Sequence, residues 1–153
     1  MKLNLGCGYD KHDGYKNIDI RPEVNPDIVE DVTKLDSIPD ESCDVIYASH
    51  ILEHFSWRDT DKILTLWVRK LKTGGLLLIK VPNLMDIIAQ AYYSTKKWPQ
   101  LISDIYGGQE YKENYHKTGF EPTDIKSKLE NLKVKVTYFR YSSQEITIEC
   151  EKL

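Results

Sequence analysis

The chain has 153 residues and a mass of 17.8 kDa, which is the size of one domain. Hydrophobic residues make up 41% and charged residues 29%, which argues against a disordered chain, and no apolar run approaches the roughly 20 residues of a membrane-spanning helix. The net charge of −3 argues against a general nucleic-acid binder, because such proteins bind phosphates largely through basic residues, so we expect neither a nucleic-acid nor a membrane partner.

The first third of the chain predicts short strands with little helix between them. Residues 3–5, 15–20 and 27–30 are the first three predicted strands, and residues 43–48 form an apolar, β-rich fourth. The connection between the first two strands is shorter than the dozen or so residues that a helical crossover between parallel strands needs. We therefore expect this connection, and those after the second and third strands, to lack full helices.

The clearest helix covers residues 57–72, where apolar residues recur at spacings of three and four. Ser56 followed by Asp59 resembles a capping box at its start. The glycine pair at 74–75 can supply a left-handed stop at its end. Residues 76–81 then predict a fifth strand.

Two further helices and a loop follow. The helices are predicted over residues 84–98, with Pro99 as a break, and over residues 123–132, with Thr123 as the cap. Between them, residues 107–119 predict a loop that is rich in polar and aromatic residues.

Two strands of alternating polarity end the chain, at residues 134–141 and 145–151, and the short polar turn between them indicates a hairpin. Strands interleaved with helices predict an α/β, Rossmann-like fold, a mostly parallel sheet of about seven strands with this C-terminal antiparallel hairpin. Residues 2–5 and 17–20 alternate in polarity, as strands covered on one face do, whereas residues 76–79 are continuously apolar. We therefore expect reduced helices on one face of the sheet, which water or the second subunit of a homodimer would cover.

A glycine turn ends the first strand, at Gly6-Cys7-Gly8, and glycine allows the backbone to approach a ligand closely. The second strand ends in Asn17-Ile18-Asp19-Ile20, and the carboxylate of Asp19 can accept hydrogen bonds from both hydroxyls of a ribose. Because ligands of open α/β sheets bind at the carboxyl ends of strands, these features predict an adenosine-containing cofactor, with a purely structural turn as the alternative. The P-loop pattern is absent, and Lys11 stands where the dinucleotide fingerprint needs its third glycine.

Three later segments extend this pattern. The third strand is followed by Glu30-Asp31-Val32, in which a carboxylate and an apolar side chain could meet an adenine, with an acidic loop as the alternative. The fourth strand leads into Ser49-His50-Ile51-Leu52-Glu53-His54, and Arg69-Lys70-Leu71-Lys72-Thr73-Gly74-Gly75 leads into the fifth strand and Val81-Pro82-Asn83. With these segments, in this order over residues 2–83, the chain resembles the class I S-adenosylmethionine-dependent methyltransferases.

The resemblance implies S-adenosylmethionine as the cofactor and a place for several residues around it. The glycine turn would face the methionine portion, Asp19 would hold the ribose, and Ile20 would lie beside the adenine. The residues after the third strand would hold and flank the adenine, and those after the fourth would border the sulfonium. The implied cofactor-binding set is Gly6, Cys7, Gly8, Asp19, Ile20, Asp31, Val32, Ser49 and His50.

No catalytic group is identified, because methyl transfer needs in-line positioning above all and a general base only for a protonated acceptor. His116, His50 and His54 are the candidates that titrate near neutral pH, although the Leu-Glu-His run is also typical of a structural helix start. His12 is expected to be exposed. Five of the ten tyrosines lie between residues 92 and 115, where they would form an aromatic lid or acceptor pocket, or else pack onto the sheet.

The three cysteines, Cys7, Cys43 and Cys150, are too widely spaced for a zinc site, and their odd number does not suit a disulfide framework. We therefore expect no metal site. A reducing, cytoplasmic setting follows as the expectation.

We interpret residues 1–153 as one domain that transfers a methyl group from S-adenosylmethionine to a small-molecule acceptor. Residues 1–83 would form the cofactor half, residues 84–122 the acceptor or lid region, and residues 123–153 the closing helix and hairpin. Residues 112–140 carry seven bases and four acids, which is either solvated surface or a preference for an anionic acceptor. The alternative function is a catalytically weak or inactive cofactor-binding scaffold, which the missing first helix favours; the incomplete dinucleotide fingerprint disfavours a nicotinamide oxidoreductase.

Overall fold

One seven-stranded sheet runs through the computed structural model, which describes residues 1–93 and 96–153. Its strands are β1 (Lys2–Leu5), β2 (Lys16–Asp19), β3 (Ile28–Val29), β4 (Cys43–Ser49), β5 (Leu71–Pro82), β6 (Val134–Tyr141) and β7 (Glu145–Lys152). Across the sheet their order is β3-β2-β1-β4-β5-β7-β6. The first five strands pair in parallel, and β7 pairs antiparallel with both β5 and β6. The predicted α/β, mostly parallel sheet with a C-terminal hairpin is therefore confirmed.

Two of the four helices form the core with one face of the sheet. The helices are α1 (Thr60–Lys70), α2 (Leu84–Tyr92), α3 (Trp98–Tyr106) and α4 (Pro122–Glu130). Trp67 of α1 and Ile125 of α4 are fully buried in one hydrophobic cluster with alternate residues of β1, β4, β5 and β7. Burying these large apolar side chains provides the main driving force for folding.

The opposite face of the sheet has less cover, which agrees with the expected reduction of helices there. Burial in β5 alternates between buried and half-buried residues, so the expectation that 76–79 is covered on both faces is wrong. Leu76 and Leu78 are half-buried on this face because little of the chain packs over them. The ring of His12 packs on Tyr47 at 4.7 Å between centroids, so His12 is half-buried rather than exposed.

The connections between the first four strands are short, as predicted. Residues 6–15, all of which are described, contain no helix. A single 3₁₀ turn, Pro22–Val24, follows β2, and the described residues 30–42 also form turns without a helix. Little chain therefore separates these four strands in sequence. Because they are parallel, their carboxyl ends lie at the same edge of the sheet.

The ends of α1 differ from the prediction. The Ser56 carbonyl accepts a hydrogen bond from the Asp59 amide at 2.9 Å in a separate turn, and Asp59 is the N-cap without a side-chain cap. The predicted capping box is therefore wrong. The helix ends at Lys70 and passes directly into β5, so the glycine pair does not stop it. Gly74, at φ +77°, instead lies in the irregular stretch where pairing of β5 with β4 shifts register.

The predicted helix over 84–98 is divided. α2 ends at Tyr92, residues 94–95 lie outside the described residues, and Pro99 lies in the first turn of α3 rather than breaking a helix. Proline suits that turn because its missing N–H would have no partner in the helix. At the start of α4 the cap is Glu121, whose carboxylate accepts the Asp124 amide at 2.9 Å, rather than Thr123.

All three cysteines are buried free thiols. Burial raises the pKa of each thiol, that of Cys150 to about 12. Among the described residues, no helix has the length and apolar character needed to cross a membrane.

Candidate functional site

A cavity lies at the carboxyl edge of the parallel strands. It is lined by residues that follow β1, β2, β3 and β4, together with part of the segment 107–119. Parallel strands present their carboxyl ends at the same edge, so connections distant in sequence meet there. Seven of the nine predicted cofactor residues line this cavity: Gly6, Gly8, Asp19, Ile20, Asp31, Val32 and His50.

The other two predicted residues, Cys7 and Ser49, are not among the described residues that line the cavity. Cys7 is buried. Its amide donates to the carbonyl of Ile18 at 3.0 Å, and this hydrogen bond joins the glycine turn to β2. Ser49 is half-buried at the end of β4, where it pairs with Lys80 of β5.

The glycine turn after β1 depends on its first glycine. Gly6 has φ +63°, a conformation that side chains disfavour, and a Cβ added there would lie 2.5 Å from Cδ1 of Ile51. The turn after β1 therefore packs directly against the segment after β4. Gly8, at φ +50°, presents its amide to the Asp19 carboxylate at 2.8 Å.

Asp19 organises the floor of the cavity. Its carboxylate is almost fully buried and accepts the amides of Gly8 and Arg21 at 2.8 and 2.9 Å, with the Arg21 Nε at 3.3 Å. A carboxylate offers about four acceptor positions, so about one remains open beside these three donors. Accepting both hydroxyls of a ribose would require the Arg21 side chain to move away.

Arg21 and Tyr111 cover part of the cavity. The Arg21 guanidinium carbon lies 4.0 Å from the centre of the Tyr111 ring, a cation–π contact. Tyr111 belongs to the segment 107–119, which is held by the amides of Lys117 and Thr118 donating to the Glu53 carbonyl at 2.8 and 3.2 Å. The segment therefore docks onto the turn after β4.

Of the five tyrosines between residues 92 and 115, Tyr111 alone lines this cavity among the described residues. Tyr92 and Tyr93 are 81% and 72% exposed and contact each other edge to face, with ring centres 5.1 Å apart. These two side chains neither pack onto the sheet nor cover the cavity. The aromatic lid predicted from the five tyrosines is thus reduced to one ring.

The segment after β3 provides a carboxylate beside apolar surface. Asp31 accepts the amide and hydroxyl of Thr33 at 2.9 and 2.6 Å through one oxygen, and its other oxygen lies 3.8 Å from the Lys34 ammonium. The carbonyl of Val32 accepts the indole N–H of Trp67 at 2.9 Å, which anchors this turn to α1. Val32 and Ile20 supply apolar side chains of the kind that a planar base contacts.

His50 joins two acidic groups at the end of β4. Its Nε2 lies 2.9 Å from Glu145, and its Nδ1 lies 3.4 Å from Glu53. The Glu53 carboxylate and then that of Glu145 raise the pKa of His50 against the opposing effect of burial. Burial acts to raise the pKa of Glu145, but the hydrogen bonds from His50 and Thr147 and the nearby charge of Lys80 bring it below its usual value.

His54 and His116 contact each other edge to face, with ring centres 5.0 Å apart. The Nδ1 atoms of His54 and His116 lie 3.2 Å from the carbonyls of Tyr115 and Asp104 respectively. Burial lowers the pKa of His54, and the neighbouring His116 adds to this effect although Glu53 opposes it.

A second cavity adjoins the first. His50 lines both, and His116, Lys96, Asp104 and Glu145 line the second. Lys96 and Asp104 form an ion pair within it. The three predicted catalytic candidates are therefore brought together around two neighbouring cavities, since His54 lines the first.

Seven residues that line the first cavity were not among the predicted site residues: Arg21, Glu30, Ile51, Phe55, Lys112, Glu113 and Lys117. Arg21 directly follows the predicted Asp19-Ile20 pair, so its position at the strand end was a usable signal. The lysines come from a segment without regular structure, where no periodicity relates sequence to position.

Comparison with known proteins gives one family. A family model described as a methyltransferase domain matches residues 3–79, about half of the chain. A search of curated proteins found no significant match.

Solved structures resemble the whole chain. A SAM-dependent methyltransferase from Methanosarcina mazei is 19% identical with a TM-score of 0.74 over 99% of this chain and 92% of that one. A SAM-dependent methyltransferase from Archaeoglobus fulgidus is 20% identical with a TM-score of 0.68, covering 99% and 85%. The 1,6-didemethyltoxoflavin-N1-methyltransferase of Burkholderia thailandensis, solved with that compound and S-adenosylhomocysteine, is 10% identical with a TM-score of 0.64, covering 99% and 70%. At these identities the likeness is one of fold.

Proposed function

Because the chain belongs to the methyltransferase domain family, we propose that the cavity at the carboxyl edge holds S-adenosylmethionine and that the protein transfers its methyl group to a small-molecule acceptor. The observation that carries this proposal is the convergence of seven predicted cofactor residues, from four separate connections, on one cavity. Binding of S-adenosylhomocysteine by a structural neighbour with the same fold supports the choice of cofactor.

The proposed placement of the cofactor follows from the chemistry of the lining. The methionine portion lies along the turn of Gly6 and Gly8, where the backbone is not shielded by side chains, and the predicted Cys7 is buried in that turn. The ribose lies at Asp19, which retains acceptor capacity. The adenine lies between Ile20 and Val32 with Asp31 accepting from its amino group. The sulfonium lies near Ser49 and His50 at the end of β4, on the side of the second cavity.

The second cavity is the proposed acceptor site, because His50 lines both cavities and so marks their junction. In the reaction a nucleophilic atom of the acceptor forms a bond to the methyl carbon, the carbon–sulfur bond breaks, and its electron pair stays on sulfur. His50, His54 and His116 are the side chains available to contact or orient the acceptor. An anionic acceptor stays a prediction from the charge of residues 112–140, because Lys112 and Lys117 line the first cavity together with Glu113 and do not line the second.

The alternative is a cofactor-binding scaffold of the same family with weak or no activity. The observation that favours it is the absence of a helix in the described residues 6–15, because a helix N-terminus after β1 would stabilise a bound carboxylate or phosphate. Such a protein would bind cofactor weakly and transfer no methyl group to any tested acceptor pool.

The division of the chain stays a proposal: residues 1–83 as the cofactor half, 84–122 as the acceptor or lid region, and 123–153 as the closing helix and hairpin. The homodimer that would cover the open sheet face also stays a prediction, which light scattering after size-exclusion chromatography tests. The cytoplasmic setting predicted from cysteine usage remains a prediction as well.

Calorimetric titration with S-adenosylmethionine and S-adenosylhomocysteine tests the proposal. We expect Ile20→Asp to weaken binding at least about tenfold, because a carboxylate replaces apolar contact with the adenine. Ile20 is 49% exposed, so the variant should fold. Val29→Asp is the matched control, since Val29 is 56% exposed and lies outside the cavity. Absence of binding of either compound to the unmodified protein at millimolar concentration would overturn the proposal.

A further inference from the structure

Three side chains capable of binding a metal ion meet beside the first cavity. Glu53 and His54 belong to the 3₁₀ turn Leu52–His54 after β4, and His116 belongs to the docked segment 107–119. One ligand atom from each residue lies within 4.8 Å of the other two. Glu53 is buried and the two histidines are half-buried, so the group faces a partly enclosed space.

The Glu53 carboxylate lacks the partners that a buried charge needs. It is 1% exposed, and neither oxygen has a hydrogen-bond partner among the described residues. Among the described residues, Glu53 forms an ion pair with the Nδ1 of His50 at 3.4 Å, beyond ordinary hydrogen-bond length. A buried carboxylate without hydrogen-bond donors is costly unless it is paired or binds a metal, so this residue needs a further partner.

The two histidines have their tautomers fixed by the backbone. The Nδ1 atoms of His54 and His116 lie 3.2 Å from carbonyl oxygens, which can only accept, so each Nδ1 carries the proton. In that tautomer Nε2 carries the lone pair with which each neutral ring can bind a cation. Metal-binding histidines typically bind the metal through one ring nitrogen and donate the N–H of the other to a group such as a backbone carbonyl.

We propose that Glu53, His54 and His116 bind a divalent transition-metal ion. Two imidazole nitrogens and one carboxylate oxygen form a donor set suited to zinc or iron(II), and such sites keep further positions open. Metal–ligand bonds of about 2.0–2.2 Å place tetrahedral ligands about 3.3 Å apart, so side-chain shifts of at most about 1.5 Å complete the site.

The ion would lie between the two cavities, because His54 lines the first and His116 lines the second. An open position would take an oxygen or nitrogen atom of the acceptor. This role rests on the proposed function, whereas metal binding itself does not. In this arrangement His54 and His116 act as ligands rather than as general bases. The ion would also join the segment 107–119 to the turn after β4 through side chains, in addition to the backbone hydrogen bonds at Glu53.

Cobalt(II) is the probe that reports the ligands directly. The full chain, without an affinity tag and stripped of metal, is titrated with Co²⁺ while visible d–d absorption is recorded, and Zn²⁺ is then added in competition. We expect one equivalent of Co²⁺ to bind and Zn²⁺ to displace it. His116→Gln should weaken Co²⁺ binding at least about 100-fold. Loss of a residue that only hydrogen-bonds to a metal ligand already costs up to about 100-fold in metal affinity, and His116 is itself a proposed ligand. His116 lies outside helices and strands, so this variant should fold.

His12→Gln removes a histidine from another part of the molecule and should leave Co²⁺ binding unchanged. Glu53→Gln is the second test, with circular dichroism checking its fold. If the unmodified protein binds no Co²⁺, or if His116→Gln binds it as tightly as the unmodified protein, the metal site is wrong. Titrating the metal-free protein with S-adenosylhomocysteine separates the two proposals: cofactor binding without metal binding overturns only this inference, and the reverse overturns only the proposed function.

Discussion

Single residues hold the cavity together by joining segments that are far apart in sequence. The Asp19 carboxylate accepts hydrogen bonds from the amide of Gly8, in the turn after β1, and from the amide of Arg21, just after β2. Gly6 allows Ile51 to pack against the same turn. The sequence could predict the glycines and Asp19, because their positions at strand ends follow from chain order. It could not predict the Ile51 contact, since that contact depends on how two connections pack.

Gly6→Ala should destabilise the protein more than Gly14→Ala. Both glycines have positive φ, at +63° and +78°, so each substitution costs about 1–2 kcal/mol for the left-handed conformation. At Gly6 the new Cβ would also meet Ile51 at 2.5 Å, whereas nothing lies within 4 Å at Gly14. Overpacking adds about 1–3 kcal/mol. The free energies of unfolding come from denaturant titration, and equal losses for the two variants would contradict the packing described here.

Among the elements, the connection between β1 and β2 is the most unusual. Side chains replace the helix that would otherwise organise it. The side-chain Oδ1 of Asn17 accepts hydrogen bonds from the Asn4 side chain at 3.0 Å and from the His12 backbone amide at 2.9 Å. The side-chain Nδ2 of Asn17 donates to the Asp27 carboxylate at 3.0 Å. The length of the connection predicts the absence of a helix, but the network that replaces it could not be predicted, because isolated asparagines carry no periodic signal.

Asp27→Asn should change how stability depends on pH. The Asn17 backbone amide, and then its side chain, hold the pKa of Asp27 below its usual 3.8. A carboxyl with a lowered pKa stabilises the fold above its unfolded pKa, and this contribution is lost as pH falls through the folded value. The stability difference between the unmodified protein and Asp27→Asn should therefore be full at neutral pH and shrink below about pH 3.8.

Urea titrations across this pH range measure that difference. Asp13→Asn removes one negative charge from the connection between β1 and β2 and is the control, because Asp13 is exposed. A stability difference for Asp27→Asn that stays constant from neutral pH to pH 3 would contradict the role assigned to the hydrogen bonds from Asn17.

At the scale of the whole molecule, the parallel sheet decides where the site lies. The strands and the mostly parallel sheet could be predicted, because alternation and glycine turns are local signals, and the carboxyl edge then follows. The docking of segment 107–119 could not be predicted. Its Tyr111 ring contacts Arg21, and its backbone contacts that of Glu53, only in the folded chain. The N-caps of α1 and α4 were also predicted wrongly. Asp59 begins α1 without a side-chain cap, and Glu121 rather than Thr123 caps α4.

A crystal structure of the protein with S-adenosylhomocysteine tests the central claim most directly. We expect the adenine between Ile20 and Val32, the ribose at Asp19 with Arg21 displaced, and the homocysteine along the turn of Gly6. The compound bound at any other cavity, or an empty carboxyl-edge cavity in crystals grown with the compound in millimolar excess, would contradict it.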